Sequence, residues 1–202
     1  MTILSHSIES ILIKKAKQGN QMAFEKLILQ HEKRVYNIAY RMFYNESDAL
    51  DMTQEVFLRV FQKINQFEDN AAFSTWLYRI TVNTCIDEIR KRTGKETYSM
   101  DEPRETEEGN MIRQYSVTEK GPEELYLEKE RMEALHEAIQ LLPEEYKTVI
   151  ILRDLQNFSY QEIADILSCS LGTVKSRIAR GRMQLKNILL QQKRELFNKT
   201  TV

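Results

Sequence analysis

The sequence predicts an all-α protein built from two small helical domains joined by a flexible acidic linker. Its 202 residues include only 6 Gly and 3 Pro, and its long runs of Glu, Lys, Leu, Arg and Ile favour helices. Apolar residues recur at helical spacing over most of the chain, without strand-like alternation or a two-residue hairpin signal. This length suffices for one large domain or two small ones, each with a buried core.

The charge of the chain is unevenly distributed. Residues 1–92 contain 13 Lys and Arg against 11 Asp and Glu, residues 93–154 contain 8 against 16, and residues 155–202 contain 8 against 3. The total is a net charge of −1, which excludes a protein that coats DNA over its whole surface. A basic end after an acidic middle indicates a polyanionic partner at that end.

The cysteines and histidines do not form a recognisable site. Cys85 and Cys169 are far apart in the sequence, and His6, His31 and His136 are scattered. The pattern argues against a zinc site and against a disulfide framework, and it is typical of a reducing compartment. The N-terminus lacks the pattern of a signal peptide, and no apolar run approaches ~18 residues. We therefore expect a cytoplasmic protein without metal or cofactor.

Residues 1–17 are predicted to form an N-terminal extension or first helix, and residues 18–92 the first domain. One long helix is predicted from the helical spacing of Phe24, Leu27, Ile28, Val35, Ile38, Ala39 and Met42. The segment "NESDA" ends it, and a second helix begins near Ser47. The inward face of that second helix carries Ala49, Thr53, Val56, Phe57, Val60 and Ile64. "NQFEDNA" (65–71) is predicted to be a loop.

A third helix is predicted over "FSTWLYRITVNTCIDEIRKR", from Phe73 to Arg92. At 100° per residue, a polar edge roughly 80° wide contains Trp76, Arg79, Asn83, Asp87 and Arg90. The rest of the circumference is mostly apolar. Aromatic surface beside cations suits contact with unstacked bases and phosphates. The alternative is a core helix whose polar edge is merely solvated.

Residues 93–121 are acidic and without helical period, so they are predicted to be a linker. The second predicted domain spans residues 122–202. Its first helix is amphipathic, "EELYLEKERMEALHEAIQLL", and its second begins at Pro143 with Glu144 and Glu145, because proline and first-turn acids both favour a helix start.

The strongest local signal is "FSYQEIADILSCSLGTVKSRIARGRMQL". Ser159 and Glu162 predict a capping box, "SCS" predicts a turn, and Ser170 can cap the following helix. In that helix Val174, Ile178, Gly181 and Leu185 share the inward side. Small, hydroxyl-bearing and basic residues occupy the outward side, which predicts a helix–turn–helix for the major groove. The alternative is an exposed basic helix on a bundle.

Together these segments resemble bacterial sigma-70-type transcription initiation factors, specifically the short, two-domain extracytoplasmic-function group. "DMTQEVFLRVFQKINQF" and "FSTWLYRITVNTCIDEIRKR" are similar to that family's second region. "LPEEYKTVIILRDL" and "YQEIADILSCSLGTVKSRIARGRMQL" are similar to its fourth. The resemblance covers roughly residues 18–92 and 122–190 and implies a protein that binds core RNA polymerase, recruits it to promoter DNA and helps to open the duplex.

The resemblance also implies roles for individual residues. Recognition of the −35 element in the major groove is expected from Thr173, Lys175, Ser176, Arg177, Ala179 and Arg180. Recognition and melting of the −10 element are expected from Phe73, Trp76, Arg79, Asn83, Asp87 and Arg90, with Asn83 and Asp87 on bases and Arg79 and Arg90–Arg92 on the DNA backbone. For Trp76 a place in the core beneath the site is the alternative. The loop from Phe67 to Phe73 is a candidate pocket for a flipped base.

The core-polymerase interface is expected on Asp51, Gln54, Glu55, Leu58 and Gln62. There an exposed leucine among polar groups is typical of an interface hot spot, although a lone exposed leucine is also common. The acidic linker is expected either to mimic nucleic acid in a polymerase channel or to act as a tether. An anti-sigma partner, often membrane-bound in the family, is a further expectation.

Three other classes of protein fit the sequence less well. A response regulator needs a phospho-acceptor Asp after an apolar strand, and a serine recombinase needs a nucleophilic Ser among clustered Arg on an α/β scaffold. Neither pattern is present, and a structural adaptor would not need a base-reading helix. Cys169 and Leu171 depart from the usual residues of the family's turn, which bears on promoter preference. The sequence predicts a non-enzymatic protein.

Overall fold

The computed structural model describes residues 2–68, 72–96 and 121–200, and every regular element within these ranges is helical. The α-helices are α1 (Thr2–Lys17), α2 (Gln21–Leu29), α3 (Glu32–Phe43), α4 (Glu46–Lys63), α5 (Phe73–Glu96), α6 (Pro122–Gln140), α7 (Glu144–Ile150), α8 (Tyr160–Leu167) and α9 (Leu171–Thr200). The all-α prediction is confirmed. Most of the predicted acidic linker (97–120) and part of the predicted base-binding loop (69–71) lie outside the described residues.

The prediction of one long helix over Phe24–Met42 is wrong, because two helices, α2 and α3, cover this range. Between them the backbone N–H of His31 bonds to the carbonyl of Ile28 at 2.8 Å, and His31 occupies the N-cap position of α3. Ile28 and Val35 are separated by two helical turns, so the apolar period continues across the break and does not reveal it.

Helices α4 and α5 form the remainder of the N-terminal unit. Tyr44 ends α3 in the left-handed region at φ 53°, and the Asn45 side chain then caps α4 by accepting the Asp48 N–H at 2.9 Å. The predicted start near Ser47 is thus confirmed. Helix α5 begins at Phe73 as predicted but continues to Glu96, four residues beyond the predicted end at Arg92.

The local start signals of the C-terminal unit are confirmed. Helix α7 begins directly after Pro143, with Glu144 and Glu145 in its first turn as predicted. Helix α6 begins at Pro122, one residue before the predicted amphipathic segment. Ser159 and Glu162 form the predicted capping box of α8: the Ser159 Oγ accepts the Glu162 N–H at 3.2 Å, and the Glu162 carboxylate accepts the Ser159 N–H at 2.7 Å. A single π-helical turn (Ile151–Leu155) follows α7.

Each unit has a buried apolar interior. In the N-terminal unit, Leu27, Val35, Ile38, Val56 and Leu77 are fully buried. In the C-terminal unit, the fully buried side chains include Val149, Leu152, Ile163 and Val174. Burial of one such side chain stabilises the fold by about 1.5–3 kcal/mol.

The two units pack against each other, and Phe158 is the apolar centre of this contact. Its ring is only 2% exposed and meets the ring of Tyr78 edge-on, with 5.3 Å between centroids. The guanidinium of Arg34 stacks 4.1 Å from the centroid of Phe158 and donates to the carbonyl of Gln156 at 3.1 Å. Helix α8 thereby lies against α5, and the π-helical turn before it lies against α3.

A second, polar contact between the units lies at the end of α3. The Gln140 amide donates to the backbone carbonyl of Arg41 at 3.1 Å and accepts from the buried Lys147 ammonium at 3.0 Å. The Arg41 guanidinium contacts the His136 ring, and the Tyr44 ring stacks on the same imidazole at 4.4 Å. Across the described ranges, none of the helices is long and apolar enough to cross a membrane.

Candidate nucleic-acid and polymerase surfaces

Helix α9 is held in a fixed orientation by its cap and its buried spine. Ser168 turns the chain in the left-handed region at φ 50°, and Ser170 Oγ then accepts the Thr173 N–H at 3.0 Å, as predicted. Val174 and Ile178 are buried. At Gly181, a Cβ atom would lie 3.0 Å from the Ile150 side chain, so the absence of a side chain lets α9 cross α7 closely.

The outward face of α9 carries the six residues predicted to contact the −35 element. Four of them are exposed, namely Lys175, Ser176, Ala179 and Arg180. Thr173 is half-buried and its hydroxyl lies 2.8 Å from that of Ser170. Arg177 is half-buried, and its Nε lies 3.1 Å from a Glu145 carboxylate oxygen. The face therefore offers two cations to solvent and a third that is already paired.

The Ser176 hydroxyl donates to the carbonyl of Thr173 at 3.0 Å, so its proton is engaged within the helix while its lone pairs face outward. Small residues beside it let the helix backbone approach a groove. This combination suits a helix that inserts into DNA and places long cationic side chains at the groove margins.

The predicted −10 edge of α5 divides into an exposed part and a covered part. Asn83, Asp87 and Arg90 are exposed, whereas Trp76 and Arg79 are half-buried. Phe73 is only 2% exposed. In this conformation Phe73 is a core residue, and a direct base contact by its ring would need a structural change.

The aromatic residues at the start of α5 form one cluster. Phe67, itself 3% exposed, meets Phe73 edge-on at 5.5 Å and lies 5.3 Å from the ring of Trp76. The indole of Trp76 is thus packed on the core at one side and reaches the surface at the other. Both roles considered for Trp76 are compatible with this placement.

Two arginines of the α5 edge are bound by the C-terminal unit. The Arg79 Nη2 donates to the backbone carbonyl of Asp165 in α8 at 2.6 Å. The Arg90 guanidinium makes two hydrogen bonds to Glu144 at the start of α7, at 2.7 and 3.0 Å. The pKa of Arg90 is raised by this carboxylate. Residues that should contact DNA phosphates therefore contact protein acceptors here.

Asp87 faces a third arginine, on the side of α5 that packs on α4. Its Oδ2 lies 3.8 Å from Arg59 Nη1, and Arg59 also donates to the Glu55 carboxylate at 2.6 Å and to the Thr84 hydroxyl at 3.3 Å. This network links the predicted −10 edge to the predicted polymerase face, because Glu55 and Asp87 share one arginine.

On α4, Asp51, Gln54, Leu58 and Gln62 are exposed as expected, and Glu55 is half-buried beside Arg59. Two apolar residues that sequence reasoning missed extend this surface. Leu50 and Phe61 are 52% and 46% exposed, and Leu58 is 52% exposed. Leu50, Leu58 and Phe61 lie on one face of α4 by helical spacing, together with Gln54. This spacing is the signal in the sequence that identifies the three apolar residues as one stripe.

We call Leu50, Leu58 and Phe61 the α4 apolar stripe. The Phe61 ring also packs edge-on against Phe24 of α2 at 5.1 Å, so one end of the stripe is held rigidly. Exposed apolar residues framed by polar ones are typical of a protein interface.

The buried Cys85 of α5 is not a reactive group, because burial raises the pKa of its thiol to about 12.

Comparison with known proteins identifies the family. Residues 27–94 match the family Sigma-70 region 2, and residues 132–185 match Sigma-70, region 4. The ECF RNA polymerase sigma factor SigW of Bacillus subtilis is 39% identical over 178 residues, which cover 88% of this chain and 94% of that protein. The ECF RNA polymerase sigma-E factor of Escherichia coli K12 is 33% identical over 183 residues, covering 89% and 93%.

Solved structures show the same fold. One is the sigma factor RpoE in complex with the anti-sigma factor NepR from Bartonella quintana, with a TM-score of 0.64 and 24% identity over 82% of this chain and 96% of that one. Another is CnrH in complex with the cytosolic domain of CnrY, with a TM-score of 0.63 and 25% identity over 90% and 97%. The chain belongs to the extracytoplasmic-function family of RNA polymerase sigma factors, which direct promoter-specific transcription initiation.

Proposed function

We propose that the two units of this sigma factor divide promoter recognition between them. Residues 18–92 bind core polymerase and recognise and open the −10 element, and residues 122–202 recognise the −35 element. The observation that carries this proposal is the construction of α9: a buried spine, a Ser170 cap that directly follows the left-handed turn at Ser168, and an outward face with exposed Lys175 and Arg180.

At the −35 element, Lys175, Ser176 and Arg180 supply the contacts that reach base edges or phosphates. A guanidinium can bond a guanine through two parallel hydrogen bonds, and such a contact discriminates bases by about 1–3 kcal/mol. Thr173 and Ala179 flank them as small residues at the groove. Arg177 joins the interface when phosphate replaces Glu145 as its partner.

At the −10 element, Asn83 and Asp87 face exposed bases while Arg79 and Arg90 hold the backbone. Trp76 supplies a partly exposed ring on which an unstacked base can rest, supported from beneath by Phe73. Because Asp165 and Glu144 occupy the two arginines in the free chain, the C-terminal unit must move off α5 before this edge can bind DNA.

Core polymerase binds the α4 face, where Asp51, Gln54, Glu55 and Gln62 surround the α4 apolar stripe. The surface has the composition of a hot spot with a polar rim. The same face is the natural target of an anti-sigma protein, since covering it blocks assembly. CnrH, whose fold this chain shares, was solved with the cytosolic domain of CnrY bound.

The chain itself performs no catalytic step, and the polymerase supplies the chemistry of RNA synthesis. The protein acts in the cytoplasm, where core polymerase and promoter DNA are found. The amount of the protein that is available to core polymerase, and not the supply of a substrate, determines its activity.

The test is transcription with the purified chain and bacterial core RNA polymerase on fragmented genomic DNA, followed by sequencing of transcript starts. Core alone and the chain alone are the controls. Discrete start sites that need both components, with shared sequence blocks upstream, are the expected result. Failure to bind core, together with tight specific DNA binding by the chain alone, would overturn the proposal in favour of a conventional DNA-binding regulator.

A further inference from the structure

Helix α1 lies outside the matched Sigma-70 region 2, which begins at residue 27, yet its last turn contacts the approach to α5. The Lys17 ammonium donates to the backbone carbonyl of Phe67 at 2.6 Å. The same ammonium lies 5.4 Å from the centroid of the Phe67 ring. One lysine thus binds both the backbone and the aromatic face of a residue fifty positions away.

Phe67 is a sensitive point for such a contact. It follows the 3₁₀ turn (Ile64–Gln66) and has extended backbone angles, φ −67° and ψ 121°. Its ring forms the base of the cluster with Phe73 and Trp76. A charged donor on its carbonyl fixes the peptide plane at the point where the helix ends, because charge-assisted hydrogen bonds are the strong ones.

Lys17 is itself held in place by the corner between α1 and α2. Gly19 adopts φ +83°, a conformation that glycine accepts without strain, and Asn20 caps α2 by accepting the Ala23 N–H at 2.9 Å. Ile13 and Ala16 anchor the same face of α1 in the core. The side chain of Lys17 is half-buried beside this anchored face, and its ammonium extends to Phe67.

We propose that Lys17 is a positioning residue for promoter opening, which acts by fixing the aromatic cluster of Phe67, Phe73 and Trp76. The proposal rests on the function proposed above, which assigns base stacking at the −10 element to Trp76. Without the Lys17 contact the Phe67 peptide can rotate and the support beneath the indole loosens. Binding to core polymerase and to the −35 element does not involve this cluster and stays intact.

The first measurement needs no transcription. Trp76 is the only tryptophan of the chain, so its emission and its quenching by acrylamide report on this cluster alone. Lys17→Met keeps most of the side-chain length but removes the donor, Lys17→Arg keeps a donor, and Lys15→Met is the control on the same turn, at an exposed position. We expect altered quenching only in Lys17→Met. Unchanged quenching in a folded Lys17→Met protein would overturn the proposal.

The second measurement compares a duplex promoter with the same promoter carrying a pre-opened bubble, using holoenzyme and permanganate reactivity of unpaired thymines. On the duplex, Lys17→Met should lower opening by roughly tenfold, the effect of one lost charge-assisted hydrogen bond. On the bubble it should match the wild type, and Lys17→Arg should restore duplex opening. Equal losses on both templates, or an equal loss in Lys15→Met, would contradict the proposal.

The two proposals fail in different ways. If the wild-type chain gives no core-dependent transcription, the proposed function fails, whatever the quenching shows. If wild-type transcription is normal and Lys17→Met opens duplex promoters normally, only the role of Lys17 fails. If the Lys17→Met protein does not fold, Lys17→Gln replaces it. Glutamine keeps a polar side chain, but it is shorter and uncharged and cannot make the ammonium contact with the Phe67 carbonyl.

Discussion

Arg90 of α5 and Glu144 of α7 form a two-bond ion pair between the two units, with N–O distances of 2.7 and 3.0 Å. The next residue, Glu145, pairs with Arg177 of α9 at 3.1 Å. Adjacent carboxylates at one helix start thus neutralise one arginine from each candidate DNA surface. Exposed ion pairs of this kind contribute little to stability, so a phosphate can replace either carboxylate.

Glu144→Gln should increase the affinity of the free chain for single-stranded DNA carrying a −10 element, because Arg90 is released. We expect a rise of about threefold at low salt that shrinks as ionic strength increases. Fluorescence anisotropy of a labelled oligonucleotide measures it. Glu130→Gln, which removes an exposed charge from the preceding helix α6, is the control. An equal rise there would show a general charge effect instead.

Leu58→Ala should weaken binding to core polymerase by about 1–2 kcal/mol, the range for an interface anchor, and Phe61→Ala should do the same. The thermal stability of Leu58→Ala should stay near that of the wild type, since the side chain is 52% exposed. Competition for core polymerase against a labelled wild-type chain measures the loss. Leu141→Ala, at a position 66% exposed outside α4, should bind normally; an equal loss there would contradict the assignment of this face.

Arg180→Ala should weaken recognition of the −35 element by about 1–3 kcal/mol and relax preference at one base position. The helix should keep its stability because Arg180 is exposed. Transcription from promoters with and without their −35 element measures the effect, which should vanish when that element is removed. Lys186→Ala, exposed two turns further along α9, is the matched control. A loss of transcription that persists without the −35 element would show that Arg180 does not act by recognising that element.

Ser159→Ala should destabilise the chain by about 1 kcal/mol, because it removes the N-cap of α8. Ser176→Ala, at an exposed position in the second turn of α9, should change stability little. Thermal unfolding followed by circular dichroism measures both. A Ser159→Ala protein as stable as the wild type would mean that packing alone holds α8 in place.

The capping box of α8 also makes the stability of the folded chain depend on pH. Hydrogen bonds from Ser159 lower the pKa of Glu162, so the folded chain holds this proton less tightly than the unfolded chain. The stabilisation is therefore present above the unfolded pKa and is lost as the pH falls through the lowered folded pKa. Glu162→Gln should reduce the dependence of Tm on pH in this acidic range, as measured by thermal unfolding at a series of pH values. The same pH dependence of Tm in the variant and the wild type would contradict the role given to Glu162.

Gly181→Val should destabilise the crossing of α7 and α9 by about 1–3 kcal/mol, the usual cost of overpacking. Its Cβ would lie 3.0 Å from Ile150 Cγ1 and 3.3 Å from Tyr146 Cβ. Gly172→Ala in the same helix is the control, because its Cβ would meet only the Ser170 hydroxyl at 3.6 Å. Chemical denaturation measures the difference, and equal stability of the two variants would show that α7 can shift away.

The sequence by itself determined the features that depend on neighbours within a turn or two. Ser159 with Glu162, Ser170, and the buried spine of Val174 and Ile178 were all predictable, because caps and the 3.6-residue period act over short distances. The period also misled at one place. It passed unbroken over His31, since the apolar positions on either side stay in phase.

Only the tertiary structure decided which predicted contacts are available. Arg79 and Arg90 lie on the expected edge, but their partners Asp165 and Glu144 are 86 and 54 positions away. Phe73 belongs to the core and Phe61 to the surface, a distinction made by packing against other helices. The helical period determines on which face of a helix a side chain lies. Which other helix covers that face depends on how helices distant in the sequence pack together, and no local segment of the sequence specifies this packing.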